Sequence, residues 1–193
     1  EWVSQIRLIG AYRMRGDFLS SYHHIESDFE KQIRLHPFGT VPQANDQCYF
    51  VLDGALCPGQ YADVFFDIRT VYEVARNPAD EAFIPLAALK WEYYCRDGWE
   101  ELQVESDGTY GLIQSGNIRF HISKEMEKEP CFHTYQIRVT LIKNDYDLPP
   151  LIQNIYLNEI QVLQQYTVCD YEDYEIVFSG YETEFSLCSS LYL

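Results

Sequence analysis

The sequence predicts an all-β protein: an antiparallel β-sandwich, jelly-roll-like, with an irregular or short helical excursion near residues 11–36. Three observations predict it. Apolar residues recur mainly at every second position, which places them on one face of a strand. Turn-forming Gly, Pro and Asp clusters fall roughly every 8 to 12 residues, the spacing of short strands in a sandwich. Hydrophobic residues make up 47% of the 193-residue chain, enough for a packed core, so wholesale disorder is excluded.

The elements follow in order. Trp2-Val-Ser-Gln-Ile-Arg-Leu8 reads as a first strand. Residues 11–35 are polar, aromatic and irregular, and read as an excursion or a short helix around Ile25 to Ile33. Pro37-Phe38-Gly39 and Val41-Pro42 punctuate the chain before a compact strand, Gln47 to Leu52. Asp53-Gly54 and Pro58-Gly59 supply turn chemistry, and Val64 to Thr70 is the next strand, with Phe66, Ile68 and Thr70 on one face. Residues 75–84 read as a polar connection with a helical turn.

The middle is hairpin material. Leu89 to Tyr94 and Trp99 to Val104 are strands joined through Asp97-Gly98, because Gly accepts the positive φ of a tight turn. Asp107-Gly108 leads into Thr109 to Ile113, and Ser115-Gly116-Asn117 turns into Ile118 to Ile122. Thr134 to Ile142 alternates cleanly: Tyr135, Ile137, Val139 and Leu141 on one face, Gln136, Arg138 and Thr140 on the other. Ile152 to Val162 closes the set. Its apolar parity shifts near Asn158, which predicts a bulge.

Residues 1–165 therefore read as one β-sandwich module. Residues 166–193 read as a separate acidic, Tyr-rich terminal segment, either a last strand or a connector to a following domain. From Tyr166 to Leu193 there are six acids and no Lys or Arg. Tyr171, Tyr174 and Tyr181 are candidate partner contacts there, since Tyr is enriched at interfaces. A solvated connector is the plainer reading of the same segment. The chain opens Glu1-Trp2-Val3, with no Met and no signal-peptide pattern, and a piece of a longer protein is the favoured reading.

Charge narrows the partners. Lys plus Arg is 14 against 30 Asp plus Glu, a net −16. A phosphate-binding surface must supply Lys and Arg, so nucleic acid is disfavoured, and so is an anionic membrane. No apolar run is long enough to span a bilayer as a helix.

The six Cys, at 48, 57, 95, 131, 169 and 188, show no C-x-x-C spacing, which argues against zinc. Free thiols are favoured over three disulfides, because a core of this size needs no staples. His23-His24 is the one His pair, and adjacent residues do not share a face. His36, His121 and His133 are isolated. Ser115 is not in a G-x-S-x-G elbow, and no Walker loop or G-x-G-x-x-G occurs. Asp145 and Asp147 are two carboxylates in a loop, too few to support a Ca²⁺ site. No catalytic residue, metal site or cofactor is expected, and the chain is not expected to be an enzyme.

One ordered string stands out between residues 89 and 162. It runs Trp91-x-Tyr93-Tyr94, Gly98-Trp99, Leu102-x-Val104, Asp107-Gly108-Thr109, Gly111-Leu112, Ser115-Gly116-x-Ile118-x-Phe120, Tyr135-x-Ile137-Arg138, Tyr146, Pro149-Pro150 and Ile155-x-Leu157-Asn158. This resembles the baseplate assembly proteins, baseplate J-like or wedge-type, of phage tails and phage-tail-like contractile injection particles. Pro37-Phe38-Gly39 and Gln47-Cys-Tyr-Phe resemble that family's entry into the same module, so the likeness covers about residues 37 to 165. Gln136 stands where the family often has Trp.

The resemblance implies a structural module whose partners are other baseplate or tail subunits. It implies a phage or phage-tail-like particle assembled in the bacterial cytoplasm. Physically, Trp91, Tyr93, Trp99 and Phe120 read as buried framework, each contributing about 2–3 kcal/mol by leaving water. The alternative is a carbohydrate-binding β-sandwich module. It would need two or three exposed, roughly coplanar aromatic rings.

Overall fold

A computed structural model describes residues 6–24, 33–69 and 86–157. Ten strands are described: β1 (Leu8–Arg15), β2 (Phe18–His24), β3 (Gln47–Leu52), β4 (Tyr61–Ile68), β5 (Ala87–Cys95), β6 (Gly98–Glu101), β7 (Gln103–Asp107), β8 (Gly116–His121), β9 (Tyr135–Asn144) and β10 (Ile152–Leu157). No helix occurs among the described residues. The strands form a six-stranded sheet, β2-β1-β3-β9-β5-β6, and a four-stranded sheet, β10-β4-β8-β7, with every described strand pairing antiparallel.

The winding is jelly-roll-like. β3, β4, β5 and β7 alternate between the two sheets on the way out. β8 and β9 then return beside β4 and β3. The apolar core lies between the sheets. Phe50, Leu52, Trp91, Tyr93, Ile137 and Val139 come from the larger one, and Val64, Phe66, Ile68, Ile118 and Phe120 from the smaller. The alternation read for β9 is the one observed, with Ile137, Val139 and Leu141 buried in that core. Phe66 and Ile68 share the predicted inward face of β4.

Several expectations are corrected. Residues 8–24 are a hairpin of β1 and β2, where an irregular excursion was expected over 11–36. Arg15 pairs with Phe18, so Gly16-Asp17 is a two-residue turn, and Gly16 takes φ 60° as a Gly-first hairpin turn requires. Trp99 to Val104 is not one strand. The chain leaves the larger sheet after β6 and enters the smaller one at β7, pivoting on buried Leu102, whose N–H donates to the Trp91 carbonyl at 2.9 Å. Thr109 to Ile113 is a turn between β7 and β8. A register shift in β10 falls between Ile152 and Asn154.

The helix expected around Ile25 to Ile33 lies largely outside the described residues. So do the helical turn over 75–84, the bulge near Asn158 and the terminal segment 166–193.

The close approach of two turns requires a glycine at 116. A Cβ there would stand 2.4 Å from the Gly108 carbonyl oxygen and 2.5 Å from its carbon, both backbone atoms. Gly116→Ala is therefore expected to cost about 1–3 kcal/mol by forcing β8 away from the turn. A lowered urea midpoint with an unchanged slope would register it.

Candidate functional site

Three features gather the aromatic and charged side chains of the described residues. The first is the aromatic-and-glycine string. Trp91, Tyr93 and Phe120 are 4%, 0% and 1% exposed, so they are framework. The Trp91 ring packs on Phe120 at 5.1 Å, Phe66 at 5.8 Å and Phe50 at 6.1 Å between centroids, joining both sheets. The Tyr93 hydroxyl, at the inner end of β5, accepts the Lys124 N–H at 2.9 Å and lies 3.1 Å from Ser123 Oγ. Trp99 departs from the expectation of a buried ring: it is half-buried on the outer face of the larger sheet.

The second feature is the turn after β7. Asp107 Oδ1 accepts from the Thr109 N–H at 2.8 Å and from Thr109 Oγ1 at 2.5 Å, while Oδ2 accepts from the Gly111 N–H at 2.9 Å. Thr109 Oγ1 in turn accepts the Leu112 N–H at 3.0 Å. These bonds hold three consecutive left-handed residues, Tyr110 at φ 52°, Gly111 at 77° and Leu112 at 65°. Two of the three carry side chains that disfavour that region, so the carboxylate offsets real backbone strain. Asp107→Ala is expected to cost about 2 kcal/mol, read as a fall in thermal midpoint, because the strained turn loses its charged acceptor.

Beside this turn lies a cleft of about 370 Å³, lined by Ala87, Leu89 and Trp91 of β5, Val104 and Asp107 of β7, and Tyr110 and Gly111. It exists because β6 pairs with β5 only over Glu92 to Cys95. Its lining holds one ionisable carboxyl, Asp107, whose oxygens are already engaged.

The third feature covers the outer face of the larger sheet. Tyr12 of β1 stacks on Tyr49 of β3 at 4.6 Å and 5°, and Phe132 leans on Tyr12 at 5.1 Å. Trp99 stands edge-on to Tyr49 and to Tyr94, at 5.6 and 5.4 Å. The Arg138 guanidinium lies 4.2 Å above the Trp99 ring and donates to Glu92 Oε2 at 2.7 Å, while Lys90 Nζ reaches Glu92 Oε1 at 3.0 Å. The Tyr12 hydroxyl donates to Gln136 Oε1 at 2.7 Å, and Gln136 Nε2 donates to Thr134 Oγ1 at 2.9 Å. Gln136 is thereby fully buried, although its strand face was expected to be solvated.

Burial alone would raise the Glu92 carboxyl, but Arg138 and Lys90 together hold it below its ordinary 4.5. Burial raises the Tyr12 and Tyr49 hydroxyls. Asp53, bonded by the Arg7 N–H and guanidinium, is likewise held low. A carboxyl depressed by folding binds its proton more readily when unfolded, so the stability it contributes is complete above the ordinary value and lost below it. Burial holds His23 below its ordinary 6.5, so the urea midpoint is expected to ease downward as pH falls through that value and to fall more steeply below about pH 4.5. Glu92→Gln should flatten part of that fall.

Among the described residues no three His, Cys, Asp or Glu group as a metal site would need. Cys48 and Cys95 are buried free thiols, and Cys57 and Cys131 are exposed ones. His23 and His24 fall on edge strand β2 and pair with Ala11 and Gly10. Tyr171, Tyr174 and Tyr181 lie outside the described residues. The residues that sequence reasoning missed are Tyr12, Phe132 and Tyr110. Their neighbours come from distant segments, so no local pattern marks them. Compared with protein-family models and with curated proteins, the chain finds no match.

Proposed function

We propose that the chain is a non-catalytic structural module of a phage-like baseplate or contractile tail assembly, working by contact with neighbouring subunits. The observation that carries this reading is where the side chains of the aromatic-and-glycine string go. Its large rings fill the core, and its glycines and Asp107 build turns. Residues consumed in this way specify a module and leave recognition to its surface. The net charge of −16 supports partners with basic surfaces and resists promiscuous self-association.

The carbohydrate-binding alternative draws on the exposed rings of Tyr22 and Phe132 and the half-buried Trp99. The coplanar pair on the outer face is Tyr12 and Tyr49, and both rings are buried, so that stack is withheld from a sugar. That burial favours the first reading.

The test is mass spectrometry of contractile particles purified from the producing cells. The expected result is peptides of this chain at a fixed ratio to sheath and tube subunits. Particles lacking the chain, together with a selective hit on a glycan array, would replace the first reading with the second.

A further inference from the structure

The side of the sandwich where β6 leaves the larger sheet presents an unfinished edge. β5 pairs with β9 along Ala87 to Tyr93, but on its other side β6 covers only Glu92 to Cys95. The Trp91 carbonyl points to that other side, where it accepts from Leu102. In an antiparallel strand alternate residues direct both backbone groups the same way, so Leu89 directs its N–H and C=O there too. Across the gap runs β7, the last strand of the smaller sheet.

Val104 of β7 is the cross-strand neighbour of core residue Phe120, yet it is 42% exposed. An inward-facing Val is left open because, among the described residues, the larger sheet places no strand opposite it. The cleft is thus a strand-shaped gap, with main-chain groups on one wall and apolar side chains on its floor. Its rim is acidic. Residues 97–107 carry Asp97, Glu100, Glu101, Glu105 and Asp107 and no Lys or Arg. Lys124 answers Asp97 and Glu100, whereas Glu101 and Glu105 are exposed.

We propose that this cleft takes an extended segment of a partner subunit, with apolar residues alternating with Lys or Arg, as an added strand beside β5. The backbone of the segment pairs with Leu89. Every second side chain drops onto Trp91, Leu89 and Val104, and the intervening cations reach Glu101 and Glu105. Strand addition of this kind draws affinity from main-chain bonds and selectivity from alternate side chains. The inference rests on the contact-module reading and names the chemistry of one contact.

The test uses the full chain and a synthetic peptide of alternating Val and Lys, titrated by NMR and calorimetry. Binding is expected, with amide shifts confined to 87–91 and 102–111. The same peptide N-methylated on the amides of one edge loses its main-chain donors and is expected to bind at least ~tenfold more weakly. A Val-Glu peptide, or the Glu101→Lys/Glu105→Lys chain with the Val-Lys peptide, is expected to show a comparable loss. No binding of the parent peptide, equal binding of the N-methylated one, or shifts spread over the acidic surface would overturn the proposal. None of those results bears on whether the chain is found in particles, so failure here and failure of the broader reading are separable.

Discussion

Trp91→Ala is expected to remove about 3–5 kcal/mol of folding stability. The indole belongs to β5 in the larger sheet, and it touches Phe66 and Phe120 of the smaller one as well as Phe50 beside it. Truncation removes the burial of a large ring and leaves a void that rigid β-strands on both sides are poorly able to close. A domain of this kind has a total of about 5–15 kcal/mol to lose, so the variant sits near the edge of folding. Urea unfolding followed by far-UV circular dichroism measures it, with Trp91→Phe expected to lie between. Were the ring instead a surface recognition element, its loss would change stability by no more than about 0.5 kcal/mol.

Glu92→Ala is expected to cost about 3 kcal/mol. The carboxylate side chain is 7% exposed and is held by Arg138, whose own side chain is 18% exposed. Removing the acid leaves a largely buried guanidinium with an aromatic ring beneath it and no counter-charge. Breaking one partner of a buried pair is far more damaging than deleting both. Its stacking on Trp99 keeps the cation partly compensated, which places the expected cost at the low end of the range for such pairs. The double variant Glu92→Met/Arg138→Met is therefore expected to recover most of the loss. A double-mutant cycle on thermal midpoints reads the coupling.

The parts of the fold that were legible in the sequence are those whose two faces differ. β9 separates Ile137, Val139 and Leu141 from its polar set, and the β5–β6 hairpin has Gly98 at φ 103° where the chain leaves the turn. β2 was not legible because it is largely exposed on both faces, so its pattern has no period to read. The crossing at Leu102 was hidden for a different reason. No Gly or Pro marks it, and a single buried Leu between acids and polar residues reads as one more inward position. The left-handed turn at Tyr110 and Leu112 was illegible because neither residue type announces a positive φ; only the Asp107 bonds make it tenable. Gln136 was assigned to the polar face of β9, yet it is buried, because Tyr12 of β1 donates to its amide oxygen and Phe132 leans on that ring. The cleft depends on where β6 ends, a property of pairing across the sheet that no local window contains.

The most direct test of the central claim, that the string is internal framework and the surface makes the contacts, is hydrogen exchange on the chain free and within purified particles. The account predicts slow exchange at Tyr93 and Phe120, whose backbones are paired inside their sheets, in both states, with assembly adding protection at surface segments such as 87–91 and 103–107. Rapid exchange at those two positions in the free chain, or no segment gaining protection on assembly, would contradict it.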